Sequence, residues 1–439
     1  MRGSVGDSYG GQLAVHGDGA AGLPRSPAGR LPWYLLPVAV FVVAATSVSG
    51  VYPLNYLVKA FGVIMVVAYL LNSIIARAYP SAEVVLYVAW LAWSLVGVAV
   101  AASGAVFWST WITCFQIWAL LVVIAGFTSS RTMLSANLLA FLVGVAIVGV
   151  ASMVDPTYQF SDNPERVTGL GRDENEFGRM MVLATIVLAY FWMVRRSGWL
   201  RYFVLLPAMA VCAWMVLRSG SRFGILSLLL FYGLWLWFYW RREASRRRYL
   251  VLPVLAGVVL GGALIFWYGA ETEAVKRLGG TWAWLHGAAT VGQGTAGRLE
   301  IYRMAWRVIA ENPVLGVGLG NFRLAAMTTM VTHSDYTGVA AETGLVGFVL
   351  YMPIYIVLLR RGWLIARASD DPQVKYTALL IQAVCIVFLF VGIGNPNQAN
   401  KVSWIFLGPF IGYSNVVWYS LRERVAKARA LGAVAMRGY

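Results

Sequence analysis

Five arginines lie at the ends of apolar segments or at the bases of polar loops, where they could bind an anion. They are Arg166, Arg172, Arg218, Arg222 and Arg298, and two of them are four residues apart in Arg218-Ser-Gly-Ser-Arg222. A guanidinium group stays charged and matches phosphate oxygens bidentately. The set therefore predicts a site for an anionic headgroup at a lipid–water boundary. Any single member could instead snorkel or form a local ion pair.

A histidine and an acid in one short stretch are the candidates for proton transfer. The chain has three histidines, His16, His286 and His333, and Glu342 follows His333 by nine residues. Imidazole accepts a proton near neutral pH, which makes His333 a candidate general base, although a lone loop histidine is more often simply solvated. Glu342 lies near the mouth of an apolar segment, where an acid is costly unless it is paired or functional. Both roles for Glu342 remain open.

Other kinds of site are not indicated by the sequence. Cys114, Cys212 and Cys385 each lie within an apolar run, and no His, Asp, Glu or Cys cluster has metal-ligand spacing. We therefore expect no metal and no cofactor. The run Gly316-Val-Gly-Leu-Gly320 lacks the strand–turn–helix context of a nucleotide-binding loop, and we interpret it as a flexible turn.

The composition defines the elements that must carry these residues. Of the 439 residues, 59% are apolar and 12% are charged, about half the charged fraction of a soluble domain. The mean hydropathy is +0.68. We predict an all-α polytopic membrane protein with about twelve transmembrane helices. The predicted spans are 33–49, 54–75, 82–102, 107–126, 134–153, 177–194, 199–217, 222–240, 250–268, 338–359, 376–394 and 402–421.

The distribution of charge predicts the orientation. With both termini in the cytoplasm, the inner segments hold 22 Lys/Arg against 7 Asp/Glu and the outer ones 12 against 12, with Lys59 inside a span. The positive-inside rule accounts for this asymmetry. The net charge of +16 therefore reflects topology, and we expect no nucleic-acid partner.

These spans divide the chain into five parts. Residues 1–30 are predicted to be a disordered cytoplasmic tail, residues 31–268 to hold spans one to nine with a periplasmic loop at 154–176, and residues 269–337 to form a large periplasmic loop. Residues 338–421 hold spans ten to twelve, and 422–439 form a basic cytoplasmic tail. Within the large loop, Leu299, Tyr302, Trp306 and Ile309 recur at helical spacing. They predict a helix that ends at Asn312-Pro313 and lies on the membrane or packs on the bundle.

Four stretches resemble the O-antigen ligase/polymerase superfamily, which holds WaaL-type ligases, Wzy-type polymerases and bacterial O-oligosaccharyltransferases. They are Arg166-Val-Thr-Gly-Leu-Gly-Arg172-Asp-Glu-Asn175-Glu-Phe-Gly178, Ser219-Gly-Ser-Arg222-Phe-Gly224, Glu311-Asn-Pro-Val-Leu-Gly316-Val-Gly-Leu-Gly320-Asn-Phe322, and His333 followed by Glu342-x-Gly344-x-x-Gly347. The similarity covers roughly residues 150–350. This sequence has His333-Ser334 where a His-Asn start is commoner in the family.

The resemblance implies a GT-C-like glycosyltransferase of the inner membrane that acts at the periplasmic face. It implies an undecaprenyl-diphosphate-linked O-antigen donor and a lipid A–core acceptor, with membrane lipids around the protein. By motif, His333 would be the catalytic base, and Arg222 and Arg298 would bind the diphosphate. Arg166, Arg172 and Arg218 would assist, with Glu342 and Asn175 as possible supporting residues. The reaction would be metal-independent and inverting.

Two alternative functions remain open from the sequence. A Wzy-type polymerase would use the same donor with a second lipid-linked glycan as acceptor. A lipid-linked glycan flippase or transporter would instead place charged residues near the bilayer midplane. Lys59 is the only clear basic candidate for that role within a predicted span.

Overall fold

The protein is an all-helical bundle in a computed structural model that describes residues 34–49, 51–76, 81–154, 167–170, 173–194, 198–240 and 293–437. Eight segments in these ranges are long and apolar enough to cross a membrane, and two further apolar helices are shorter. The predicted polytopic all-α class is therefore confirmed. The predicted span at 250–268 and the tryptophans at 282 and 284 lie outside the described residues, as do Arg166, Arg172 and His286.

The helices in the first half of the chain correspond to the first eight predicted spans. They are α1 Leu35–Ser47, α2 Leu54–Ala76, α3 Ala82–Val96, α4 Gly104–Phe127, α5 Arg131–Val154, α6 Glu174–Val194, α7 Gly198–Arg218 and α8 Arg222–Trp240. Helix α7 contains one π-helical turn at Arg201–Leu205.

The second half of the chain contains six helices in the described residues. They are α9 Gln293–Glu311, α10 Phe322–Ala325, α11 Asp335–Tyr351, α12 Pro353–Ala368, α13 Pro372–Val391 and α14 Lys401–Arg437. Helix α14 continues beyond residue 421, where the twelfth span was predicted to end. The predicted span at 338–359 corresponds to parts of α11 and α12, and α11 is itself interrupted at Gly344.

The centre of the bundle is formed by α6 and α13. In the apolar segment of α6, 89% of the residues are buried, and in that of α13 78% are buried, whereas the figure for α2 is 6%. Helix α13 packs against α6, α8 and α12. Residues near the ends of α6 and α13 are therefore fixed by packing on several sides, whereas α2 lies at the periphery with leucine, isoleucine and valine side chains exposed.

A buried ion pair joins three helices near the beginning of α3. A nitrogen of Arg361 on α12 lies 3.0 Å from a carboxylate oxygen of Glu83 on α3, and both side chains are buried. The hydroxyl of Ser414 on α14 accepts a further hydrogen bond from Arg361. Two charges are tolerated inside an apolar bundle when they are paired in this way.

Helix α9 packs on the bundle, as the sequence allowed, with a face that agrees with the predicted one only in part. Ile301, Ala305 and Val308 are buried with Phe322 and Ala341 in a small apolar cluster. Trp306, predicted to be on the packed face, is instead 64% exposed. The prediction holds for Ile309, which is buried in the same cluster, and was wrong for Trp306, because smaller aliphatic residues form most of the face that packs against α11.

The turn Gly316–Gly320 is packed against the bundle, so its interpretation as a flexible turn was wrong. All three of its glycines have positive φ angles, which other residues rarely adopt. A Cβ on Gly318 would lie 2.8 Å from the carbonyl oxygen of Gly97. Val317 and Leu319 between them are buried. The turn therefore brings the backbone of the large loop into direct contact with the end of α3.

Gly344→Ala is expected to destabilise this junction. Gly344 has φ 70° and ψ 178°, a conformation essentially restricted to glycine that costs other residues about 1–3 kcal/mol. An added Cβ would also lie 1.9 Å from the Val314 carbonyl oxygen. A lower thermal unfolding temperature in detergent would reveal the loss. Gly233→Ala is the control because nothing lies within 4 Å of its Cβ position, and equal unfolding temperatures for the two variants would contradict the prediction.

Candidate functional site

His333 lies in a constrained turn directly before α11. Its backbone φ is +51°, a left-handed conformation that is uncommon outside glycine. The next residue, Ser334, accepts a hydrogen bond from the backbone N–H of Tyr336 and caps α11. The backbone N–H of Asp335 donates to the carbonyl oxygen of Gly392 at 2.8 Å. The imidazole is half-buried on a backbone that neighbouring elements hold in place.

The surroundings of His333 favour the neutral imidazole. Burial is the largest influence and lowers the pKa of His333 below its ordinary 6.5, and the positive charge of Arg298 lowers it further. The negative charge of Asp173 acts in the opposite direction. A lowered pKa keeps the imidazole unprotonated at neutral pH, the state in which it can accept a proton.

Activity that depends on neutral His333 is expected to fall only below about pH 6.5, which gives the pH–rate profile an acid limb. Substitutions that remove a nearby charge should shift the pH of this limb. Arg298→Gln removes a positive charge, so it raises the pKa of His333 and moves the limb to higher pH. Asp173→Asn moves it to lower pH while keeping a side-chain oxygen to cap the start of α6. The pH–rate profiles of both variants test this. Limbs that coincide with the wild-type limb would contradict the assignment of the titrating group to His333.

Two of the candidate arginines lie on elements that meet at Phe223. The guanidinium carbon of Arg298, in the second turn of α9, lies 5.6 Å from the centre of the Phe223 ring. Arg222 is the preceding residue and the first of α8. The charge of Arg298 also acts on His333. The structure thus brings the elements that carry Arg222, Arg298 and His333 to one end of the bundle.

The other predicted site residues have different environments. Arg218 is exposed, with its guanidinium carbon 5.9 Å from the ring centre of Trp214, and its carbonyl oxygen accepts a hydrogen bond from the N–H of Val167. Asn175 lines a small crevice between α6, α8 and α13. Arg166 and Arg172, as stated, are outside the described residues.

Glu342 is held inside the bundle by hydrogen bonds from neutral groups, and the positive charge of Arg323 also acts on it. Its carboxylate accepts a hydrogen bond of 3.3 Å from the amide nitrogen of Gln398, and backbone groups of Gly320 and Phe322 also bond to it. The side chain is 9% exposed. These contacts connect α11 with the packed glycine turn. Within the part of the chain that the structure describes, Glu342 therefore joins two packed elements.

Sequence reasoning missed a buried polar network beneath His333. Arg179 on α6 donates to the side-chain oxygen of Asn397 at 3.2 Å and to the Ser403 hydroxyl at 3.0 Å. The amide nitrogen of Asn397 in turn donates to Asp335 at 2.7 Å. Arg179, Asp335 and Asn397 are all buried. A single carboxamide thus connects a buried cation with a buried anion.

The sequence did contain a signal for this network. Arg179 lies inside the predicted span 177–194, so the interpretation of Lys59 as the only clear basic residue in a span was wrong. Lys59 is exposed on peripheral α2, 5.4 Å from the ring centre of Tyr56. A charged residue within an apolar run indicates a buried partner, and this argument applies to Arg179 rather than to Lys59.

The fold is that of a multi-pass helical membrane protein, and the elements that carry Arg222, Arg298 and His333 meet at one end of the bundle. Residues 207–352 match the family model described as O-antigen ligase. The match confirms the resemblance indicated by the motifs over about a third of the chain, and it includes Arg218, Arg222, Arg298, His333 and Glu342. The family implies an enzyme of glycosyl transfer. No curated protein matches the chain.

Proposed function

We propose that the protein is an O-antigen ligase of the bacterial inner membrane. It transfers the O-antigen glycan from undecaprenyl diphosphate to a sugar hydroxyl of lipid A–core at the periplasmic face. The observation that supports this proposal is that Arg298 contacts Phe223, the residue after Arg222 at the start of α8, and that the charge of Arg298 acts on the half-buried His333. A cationic pair beside a neutral base suits a reaction that releases diphosphate while deprotonating a hydroxyl.

The proposed reaction is a single displacement with inversion. The acceptor hydroxyl oxygen forms a bond to the anomeric carbon of the donor as the bond from that carbon to the diphosphate oxygen breaks. The hydroxyl proton moves to His333, and the electron pair leaves with the diphosphate. Arg222 and Arg298 stabilise the negative charge that grows on the leaving group, with Arg166, Arg172 and Arg218 as further candidates. No divalent cation is required for this chemistry.

The arrangement supports a transferase better than a transporter. Arg179, the buried cation found in α6, is bonded to Asn397, Pro396 and Ser403 and lies in the second turn of the helix. It is thus close to the end that carries His333 and not at the middle of a span, where transport sites are expected. A polymerase differs from a ligase only in its acceptor, so the two are separated by experiment.

The test supplies purified protein with undecaprenyl-diphosphate-linked O-antigen and lipid A–core, and the products are separated on a glycolipid gel. A ladder transferred to lipid A–core, absent with His333→Ala, supports the ligase. Longer lipid-linked chains with unmodified lipid A–core would make the protein a polymerase. If neither acceptor is modified, transport becomes the better explanation.

A further inference from the structure

The connection between α13 and α14 contacts, through residues 392–398, all three elements that carry the proposed catalytic groups. We propose that this α13–α14 connection is a positioning element, which sets the placement of Arg222, Arg298 and His333 relative to one another. The inference rests on the proposed function for the roles of those three residues. The connection lies outside the segment that matches the O-antigen ligase family, and its residues carry no functional motif in the sequence.

The connection holds the His333 turn through Asp335. One carboxylate oxygen of Asp335 accepts hydrogen bonds from the backbone N–H groups of Asn397 and Gln398, at 2.6 and 3.1 Å. The other accepts from the side-chain amide of Asn397, and the backbone N–H of Asp335 donates to Gly392. Four hydrogen bonds therefore fix a residue only two positions after His333.

The same connection holds the helix that carries Arg298. The hydroxyl of Tyr302 on α9 donates to the carbonyl oxygen of Ile393 at 2.8 Å. Tyr302 follows Arg298 by four residues, so the two side chains lie on the same face of α9, one turn apart. This bond therefore fixes how close the Arg298 turn lies to the His333 turn.

The third contact is with the Arg222 segment and depends on Gly394. A Cβ on Gly394 would lie 1.9 Å from the Phe223 ring. The connection thus passes directly against the ring that adjoins Arg222 and underlies the guanidinium of Arg298. Only a residue without a side chain allows this approach.

The connection can position these groups because it is itself anchored to the core of the bundle. Arg179 donates to the carbonyl oxygen of Pro396 and to the side chain of Asn397. The indole of Trp404 donates to the carbonyl oxygen of Asn397 at 3.0 Å. The hydroxyl of Tyr87 donates to the carbonyl oxygen of Gln398 at 3.2 Å. Asn397 is completely buried. The connection is therefore a fixed support that spans α3, α6 and α14.

Tyr302→Phe tests the positioning role, because it removes one hydrogen bond to the connection and leaves every proposed catalytic group intact. We expect turnover to fall about 3- to 10-fold, as one lost hydrogen bond allows, with little change in KM for the donor. Tyr190→Phe is the matched control, since it removes the contact of the buried Tyr190 hydroxyl with Ser135, in the other half of α6 from Arg179.

A second readout does not depend on activity. Among the described residues, the charged groups that act on His333 are Arg298 from α9 and Asp173 from the segment before α6. Loosening α9 moves Arg298 away, so the His333 pKa should rise in Tyr302→Phe and not in Tyr190→Phe. Because the chain has three histidines, NMR titration of histidine-labelled protein can assign the His333 signal by its loss in His333→Ala.

Gly394→Ala tests the contact with Phe223. We expect turnover to fall at least 10-fold in a protein that still folds, and Phe223→Leu in the same chain to restore part of the loss by making room for the methyl group. If Gly394→Ala does not fold, the Tyr302→Phe measurements still decide the question.

The outcomes separate this inference from the proposed function. Folded Tyr302→Phe with wild-type turnover and wild-type His333 titration would overturn the positioning role, as would an equal loss in Tyr190→Phe. If wild-type protein transfers no glycan but the His333 titration shifts as expected, the positioning role holds and the proposed function fails.

Discussion

His333→Ala is expected to reduce glycan transfer by about 10²–10⁴-fold, the usual contribution of a general base. Binding of the lipid-linked donor should persist, because the proposed diphosphate contacts come from arginines on α8 and α9. Turnover and donor affinity measured on the same purified protein would separate the two effects. His16→Ala, in the N-terminal segment, is the control for loss of an imidazole.

Full transfer activity in His333→Ala would remove His333 from the mechanism. Loss of donor binding in parallel with turnover would instead show that His333 contributes to binding of the donor before the reaction. A residual rate is expected because the arginines still act on the leaving group when the base is absent.

Replacing Arg222 and Arg298 with glutamine is expected to produce the second large effect. Each substitution removes a charged donor from the departing diphosphate, and the loss of one such donor costs roughly 10²–10³-fold in turnover. The two losses should be less than additive if both groups bind the same diphosphate. Steady-state kinetics of the single and double variants would measure this coupling.

The control for these variants is Arg303→Gln. Arg303 is on the same helix as Arg298, but its side chain is 77% exposed and pairs with Glu300 at 3.4 Å. It should retain normal transfer. Wild-type activity is also expected to be unchanged in excess EDTA, and a strict requirement for Mg²⁺ or Mn²⁺ would refute the proposal that arginines replace a metal ion.

Much of the fold could be predicted because a membrane span needs a long apolar run, and such runs are visible in the sequence. Eleven of the twelve predicted spans correspond to helices in the described residues, and the remaining one, at 250–268, lies outside them. The predicted end of α9 at Asn312-Pro313 agrees with its observed end at Glu311. The break at Gly344 could not be predicted, because it depends on the approach of the Val314 backbone from a distant part of the chain.

The candidate site could be predicted in part, since arginine and histidine in polar loops are recognisable by type and by motif. In the structure, the elements that carry Arg222, Arg298 and His333 meet at one end of the bundle. The catalytic roles of these three residues stay predictions. The supports of the site were not recognised. Asn397 and Gly394 have no special feature in the sequence, because their importance comes from what packs against them.

The glycine turn Gly316–Gly320 has a consequence for how this protein can evolve. Where two backbones touch with no space for a methyl group, no substitution on one side can be offset by a smaller residue on the other. Neutral drift should therefore be almost absent at Gly316, Gly318 and Gly344, although none of them has a proposed chemical role. The exposed leucines and isoleucines of peripheral α2 should exchange freely among apolar residues. In a library of all single substitutions, these glycine positions would thus tolerate the fewest replacements.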